Sequence, residues 1–205
     1  MLDSLLKALD KLIELARIKQ KREKARLDEF FTPAFNEVQA VHADYLAMFT
    51  DLAIRIDKIP DGADHEHPVA QETLEFLTQR RIVQRPVREK LRALSSIGFA
   101  DHYSDHERFF LAALDSYLRQ TTLTGNEMAS VSTDILNQLK TVLGVDLTEE
   151  DLEVDVASRY LRNERIRLDR VAENCKDRCE RLESAWLRLS EYHAKLKLHV
   201  ISRST

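Results

Sequence analysis

Residues 154–196 read VDVASRY LRNERIR LDRVAEN CKDRCER LESAWLR LSEYHAK L, and each block of seven opens on an apolar residue. Val154, Leu161, Leu168, Cys175, Leu182, Leu189 and Leu196 are therefore equivalent positions one heptad apart, the mark of a long helix packed along its length. The pattern predicts a helix from about Thr148 to about Val200. Thr148-Glu149-Glu150-Asp151 resembles a capping box with Asp in its last place. The acidic cluster Glu149 to Asp155 suits the positive end of a helix dipole. Fifty residues at the standard rise make a rod of about 75 Å, and its apolar stripe must be covered.

The rest of the chain reads the same way. Only four Gly and four Pro interrupt 205 residues, so breaks are few. Residues 2–31 form a first helix, with Leu2, Leu5, Leu9, Leu12 and Ala16 on one stripe. Thr32-Pro33 either restarts or kinks it, because proline fits a first helical turn. Phe35, Val38, His42, Tyr45, Phe49, Leu52, Ile56 and Ile59 then alternate in three- and four-residue steps until Pro60-Asp61-Gly62 turns the chain. A third helix runs from about Pro68 to Ser96, with Phe76, Leu77, Val83, Val87, Leu91 and Leu94 expected inward and a kink near Arg85 from Pro86. Ser104-Asp105-His106-Glu107 is a capping box opening a fourth helix, whose apolar face is Phe109, Phe110, Ala113, Leu114, Tyr117 and Leu118. A fifth covers about Asn126 to Leu143 between Gly125 and Gly144. No strand pattern competes.

The expected architecture is all-α. It is one elongated helical-bundle domain of five or six helices over residues 1–205, with long, coiled-coil-like helices at both ends. Long N-terminal helices fill 1–59, three shorter ones fill 68–143, and the long C-terminal helix fills 148–200.

Composition narrows the function. The 31 basic and 35 acidic residues nearly cancel to a net charge of −4, against the basic balance of a nucleic-acid binder. Cys175 and Cys179 lie four apart on one helix face, where a bridge would strain the helix, so reduced thiols and a cytoplasmic setting are expected. No stretch approaches the ~20 apolar residues that span a bilayer. There is no Gly-x-Ser-x-Gly and no phosphate-cradling glycine loop.

Histidines are the natural place to seek chemistry. His65 and His67 sit with Asp64 and Glu66 in one loop, and His102 and His106 are four apart among acids, a spacing found in helical metal sites. Against a metal, no His here has Glu three residues before it, and His102 precedes the capping Ser104. Polar turn and cap roles explain these residues, so no cofactor or metal is expected. His42 falls on an apolar stripe and reads as a buried, hydrogen-bonded core histidine. His193 and His199 suit the negative end of the last helix dipole.

The charge pattern carries more. Arg17, Lys19, Lys21, Arg22, Lys24 and Arg26 face a single local acid, Glu23, directly after the amphipathic segment 2–16. That block is the candidate docking segment. The expected function is a non-enzymatic helical interaction module that self-associates, as a dimer for preference, or docks on a protein partner. Two other classes fit the same residues. One is a peripheral membrane protein whose apolar helix and basic block dock on an anionic surface. The other is a helical metalloenzyme using His102, His106, His65 and His67.

Overall fold

The computed structural model describes residues 23–96, 103–123, 126–147 and 167–202. Helix α1 (Glu23–Arg26) passes through a π-helical turn (Leu27–Phe31) into α2 (Thr32–Ile56). There follow α3 (Pro68–Ser96), α4 (Asp105–Gln120), the short strands β1 (Thr122–Leu123) and β2 (Asn126–Ser130), α5 (Val131–Val142) and α6 (Leu168–Ser202). The fold is an all-α helical bundle with long helices toward both chain ends.

The helix neither stops nor restarts at Thr32-Pro33. Proline has no N–H to donate and crowds the carbonyl four residues back, so an ordinary turn there carries a defect. The Thr32 N–H instead reaches back five residues to the Leu27 carbonyl, and the widened turn lets the helix continue. Pro86 likewise lies inside α3, which stays helical to Ser96.

Local signals set the remaining ends. Gly62 takes φ +77° in the turn closed by Ala63 N–H on the Pro60 carbonyl at 3.1 Å. Gly144 takes φ +73° after α5, and the Val145 N–H returns to the Lys140 carbonyl at 2.9 Å, a left-handed helix stop. Ser104 and Glu107 form the full capping box: Glu107 Oε2 accepts from the Ser104 N–H at 2.7 Å, while the Glu107 N–H reaches Ser104 Oγ at 3.4 Å.

Three expectations need correction. Residues 126–130 are not the first turns of a helix. They pair antiparallel with Thr122–Leu123, Thr122 opposite Ser130 and Leu123 opposite Asn126, and α5 begins only at Val131. The β-branched pair Thr121-Thr122 before Gly125 favours an extended approach over a helical one. The last helix begins at Leu168, with Arg167 outside it, so the 35 described residues of α6 span about 52 Å in place of the expected 75 Å rod. Within α3 the inward face is Ala70, Thr73, Leu77, Gln84 and Val87, while Val83 is turned to solvent. Val154, Leu161 and the Thr148 capping pattern lie outside the described residues.

The described residues gather into two compact units. The first draws on the described parts of 23–43, 86–118 and 183–202, the second on those of 44–85 and 119–182. In the first, Phe31, Val38, Phe110, Leu114, Tyr117, Leu189 and Leu196 are buried. In the second, Tyr45, Met48, Leu52, Leu77, Ile135, Leu139, Cys175 and Leu182 fill the interior.

Candidate interaction surfaces

Two histidines of the first unit, His42 and His193, are buried. Phe35 stacks between His193 (centroids 4.0 Å apart) and Trp186 (4.8 Å), and Trp186 stacks in turn on His42 at 5.0 Å. Four near-parallel rings from α2 and α6 thus form one column. Its ends are fastened by polar contacts, the Tyr117 hydroxyl with His42 Nδ1 at 3.3 Å and Thr32 Oγ1 with His193 Nε2 at 3.4 Å. Burial pushes both imidazoles toward their neutral forms. His193 falls to about 4, with nearby Lys197 adding to the effect, and His42 is lowered although Glu183 pulls it the other way. The expectation for His42 as a buried, hydrogen-bonded core residue therefore holds. His193 belongs to the same interior, and its partners are rings more than a helix dipole.

Several of the described residues among the docking and metal candidates have local partners. Of the basic block, Arg17, Lys19, Lys21 and Arg22 lie outside the described residues, and Lys24 is exposed. Arg26 is engaged within the unit: Nε and Nη2 donate to the two carboxylate oxygens of Glu107 at 2.6 and 3.1 Å, with the guanidinium also 5.8 Å from the Tyr103 ring. His106 stacks on His199 at 4.1 Å, and His199 Nε2 lies 3.8 Å from Glu23. His102 lies outside the described residues. In the second unit, His67 Nδ1 accepts the Val69 N–H at 3.3 Å and so caps α3, and Asp64 Oδ1 accepts the Glu66 N–H at 3.0 Å in a local turn. Among the described residues, no three His, Cys, Asp or Glu side chains converge as metal ligands.

The second unit also holds a buried polar chain that sequence reading missed. Gln138 Nε2 donates to Asp134 Oδ2 at 3.0 Å, and Asn174 Nδ2 donates to Gln138 Oε1 at 2.8 Å. Burial raises the Asp134 carboxyl despite that hydrogen bond and the nearby Arg178. The four-residue spacing of Asp134 and Gln138 was the available signal. The unit's surface carries an open groove of about 550 Å³ lined by Arg55, Glu72, Glu75, Phe76, Gln79, Arg80 and Val83. Both arginines lie over the Phe76 ring, at 4.5 and 5.6 Å, and Arg80 is also bound to Asp44 at 2.7 Å. Two acids and two bases line it, so the groove selects no ligand of one sign.

The outer side of α6 is different. Ala185, Leu189, His193, Leu196 and Val200 are buried on one side of that helix. On the other, Leu187 and Leu198 are each 68% exposed and Ile201 59%. At 3.6 residues per turn, Leu187, exposed Ala194 and Ile201 fall within about 40° of one another, and Leu198 adjoins them. These positions share one outward line in the first unit, with Ser190 and Glu191 at the turn between Leu187 and Ala194. Glu183 lies in line with it one turn earlier, and Glu191 with Lys195 flanks it, the two joined by a 2.6 Å ion pair. Among the described residues no helix is long and apolar enough to cross a membrane.

No protein-family model matches the chain, and neither the curated proteins nor the solved structures contain a significant match to it.

Proposed function

We propose that the chain is a non-enzymatic helical interaction module that engages protein through the outer face of α6. The observation that carries this reading is the seam of Leu187, Ala194, Leu198 and Ile201, solvent-facing on a helix whose other side is already filled. Single exposed leucines are ordinary on protein surfaces, but three large apolar side chains in helical register form a patch that gains free energy when covered. The inward commitment of His42 and His193 to a ring column agrees with it, since both imidazoles serve packing. Thiols in place of a disulfide at Cys175 and Cys179 suit a reducing, cytoplasmic setting.

The test uses the full chain and the triple variant L187S/L198S/I201S, whose positions are exposed and whose melting curve should match the parent's. Cross-linking in cells should retain protein neighbours, further copies of the chain included, with the parent and lose them with the variant. Flotation with phosphatidylserine-rich vesicles runs alongside. Seam-dependent flotation without seam-dependent protein cross-links would replace this reading with a membrane-docking one. Indifference of both assays to the triple variant would sink it.

A further inference from the structure

We infer that the protein covering the α6 seam is a second copy of this chain, laid antiparallel about a two-fold axis passing beside Ala194. This rests on the reading of that seam as a protein-binding face, and it adds the partner and the register. A two-fold interface must be self-complementary, so that whatever residue i meets also meets i. The seam satisfies that condition at its middle and at its two ends. Leu187 stands seven positions before Ala194 and Ile201 seven after it, so the axis sets each Leu187 on the Ile201 of the other copy. Ala194 itself, exposed and small, allows the two helices to approach closely where they meet.

Charge points to the same occupant. Glu191 and Lys195 sit on one flank and bracket the axis to within a residue, with side chains 59% and 54% exposed. The two-fold operation keeps that flank facing itself. Each Glu191 therefore comes beside the Lys195 of the other copy, and two surface pairs become one four-charge cluster of alternating sign. Attractive pairs of this kind fix register more than they add affinity. An anionic bilayer fits less well, because Glu183 and Glu191 border the apolar positions and would be driven against the headgroups. With three large apolar side chains per copy the contact lies at the small end of specific interfaces, so the dimer should dissociate measurably at micromolar concentration.

The experiment measures mass by sedimentation equilibrium of the full chain over the micromolar range, for the parent, Leu187→Glu, Ile201→Lys and the double variant. The parent should rise from 23.8 kDa toward twice that value. Each single variant should weaken association by about thirtyfold, the loss of a large apolar contact that carries much of a small interface, and the double variant should recover it through a new Glu–Lys pair. As an independent readout, Ala194→Cys should cross-link to itself on mild oxidation, whereas Leu187→Cys should cross-link with Ile201→Cys and not with itself. A parent that stays at 23.8 kDa throughout overturns the inference, while the cross-linking result with the triple serine variant still decides whether the seam binds another protein. A dimer insensitive to both single charges overturns it as well, by placing the contact elsewhere. Failure of the double variant to recover, or Leu187→Cys pairing with itself, overturns the antiparallel register.

Discussion

Glu107 caps the helix that it opens and at the same time holds Arg26, eighty-one residues earlier in the chain. Its carboxylate is 1% exposed and accepts from Arg26 Nε at 2.6 Å, Arg26 Nη2 at 3.1 Å, the Ser104 N–H at 2.7 Å and Ser104 Oγ at 3.0 Å. One side chain thus caps the start of a helix and joins it to α1. The bond to Glu107 is also the main cause that raises the Arg26 guanidinium above its ordinary value.

Removing only one partner leaves the other charge partly buried and unmatched. Glu107→Ala should lower unfolding free energy by about 3–5 kcal/mol, and Glu107→Gln by less, since the amide oxygen can still cap. Urea denaturation of Arg26→Ala, Glu107→Ala and the double variant checks this. A double variant about as unstable as Glu107→Ala alone shows that the two side chains act as a unit. Strict additivity would mean that the pair contributes nothing beyond the cap.

The heptad stripe of α6 should separate core leucines from a marginal one. Leu182 and Leu189 are at most 1% exposed, whereas Leu168 at the helix start is only half-buried. Leu182→Ala and Leu189→Ala should each cost about 2–5 kcal/mol through lost burial and a residual cavity, and Leu168→Ala clearly less. Thermal melts of the three variants decide it. A midpoint unmoved by Leu182→Ala would show that the stripe is not a core.

What the sequence made legible was whatever depends on neighbours in the chain. The Ser104–Glu107 box, the Pro60–Gly62 turn, the Gly144 stop and the buried α6 stripe each follow from residues within a turn or two of one another. Several of the misses depend on distant partners. Gln84 could not be read as inward without Asp44, forty positions earlier, whose Oδ2 accepts its amide at 2.8 Å. With that polar position buried, Val83 is displaced to the surface. The ring column likewise joins Phe35 and His42 to Trp186 and His193, a juxtaposition no local pattern encodes. Leu187, Leu198 and Ile201 were readable as apolar but not as outward, because an α6 with two apolar sides becomes decidable only once one side is filled.

The two thiols should behave as unlike groups despite sharing a helix face. Cys175 is fully buried, and desolvation, helped by Cys179, pushes its thiol up to about 12. Cys179 is half-buried. Since the thiolate is the reacting species, native protein at neutral pH should give one thiol to a disulfide reagent over minutes and the second only on unfolding. Mass spectrometry of the labelled peptide should place the first label on Cys179. Two thiols reacting at equal rates in folded protein would contradict the burial of Cys175.

The ring column should make the first unit acid-sensitive through His193. Its imidazole has an ordinary value of 6.5 and falls to about 4 in the folded chain, where burial disfavours the charged form. Between those values the unfolded state binds more protons than the folded state, so stability must fall as pH drops. The loss begins as pH passes below about 6.5 and is complete below about 4; for this one side chain it approaches roughly 3 kcal/mol. The lowered imidazole of His42 adds to it in the same direction. The raised Asp134 carboxyl in the second unit acts oppositely, since its folded state takes up a proton more readily. A comparison with His193→Phe therefore isolates the column: phenylalanine can keep the stack on Phe35 but cannot titrate. Denaturant midpoints at pH 7.5, 6.0 and 5.0 should decline for the parent and decline less for the variant. Equal slopes would mean that His193 is already free to protonate in the folded chain, and that the column does not hold it neutral.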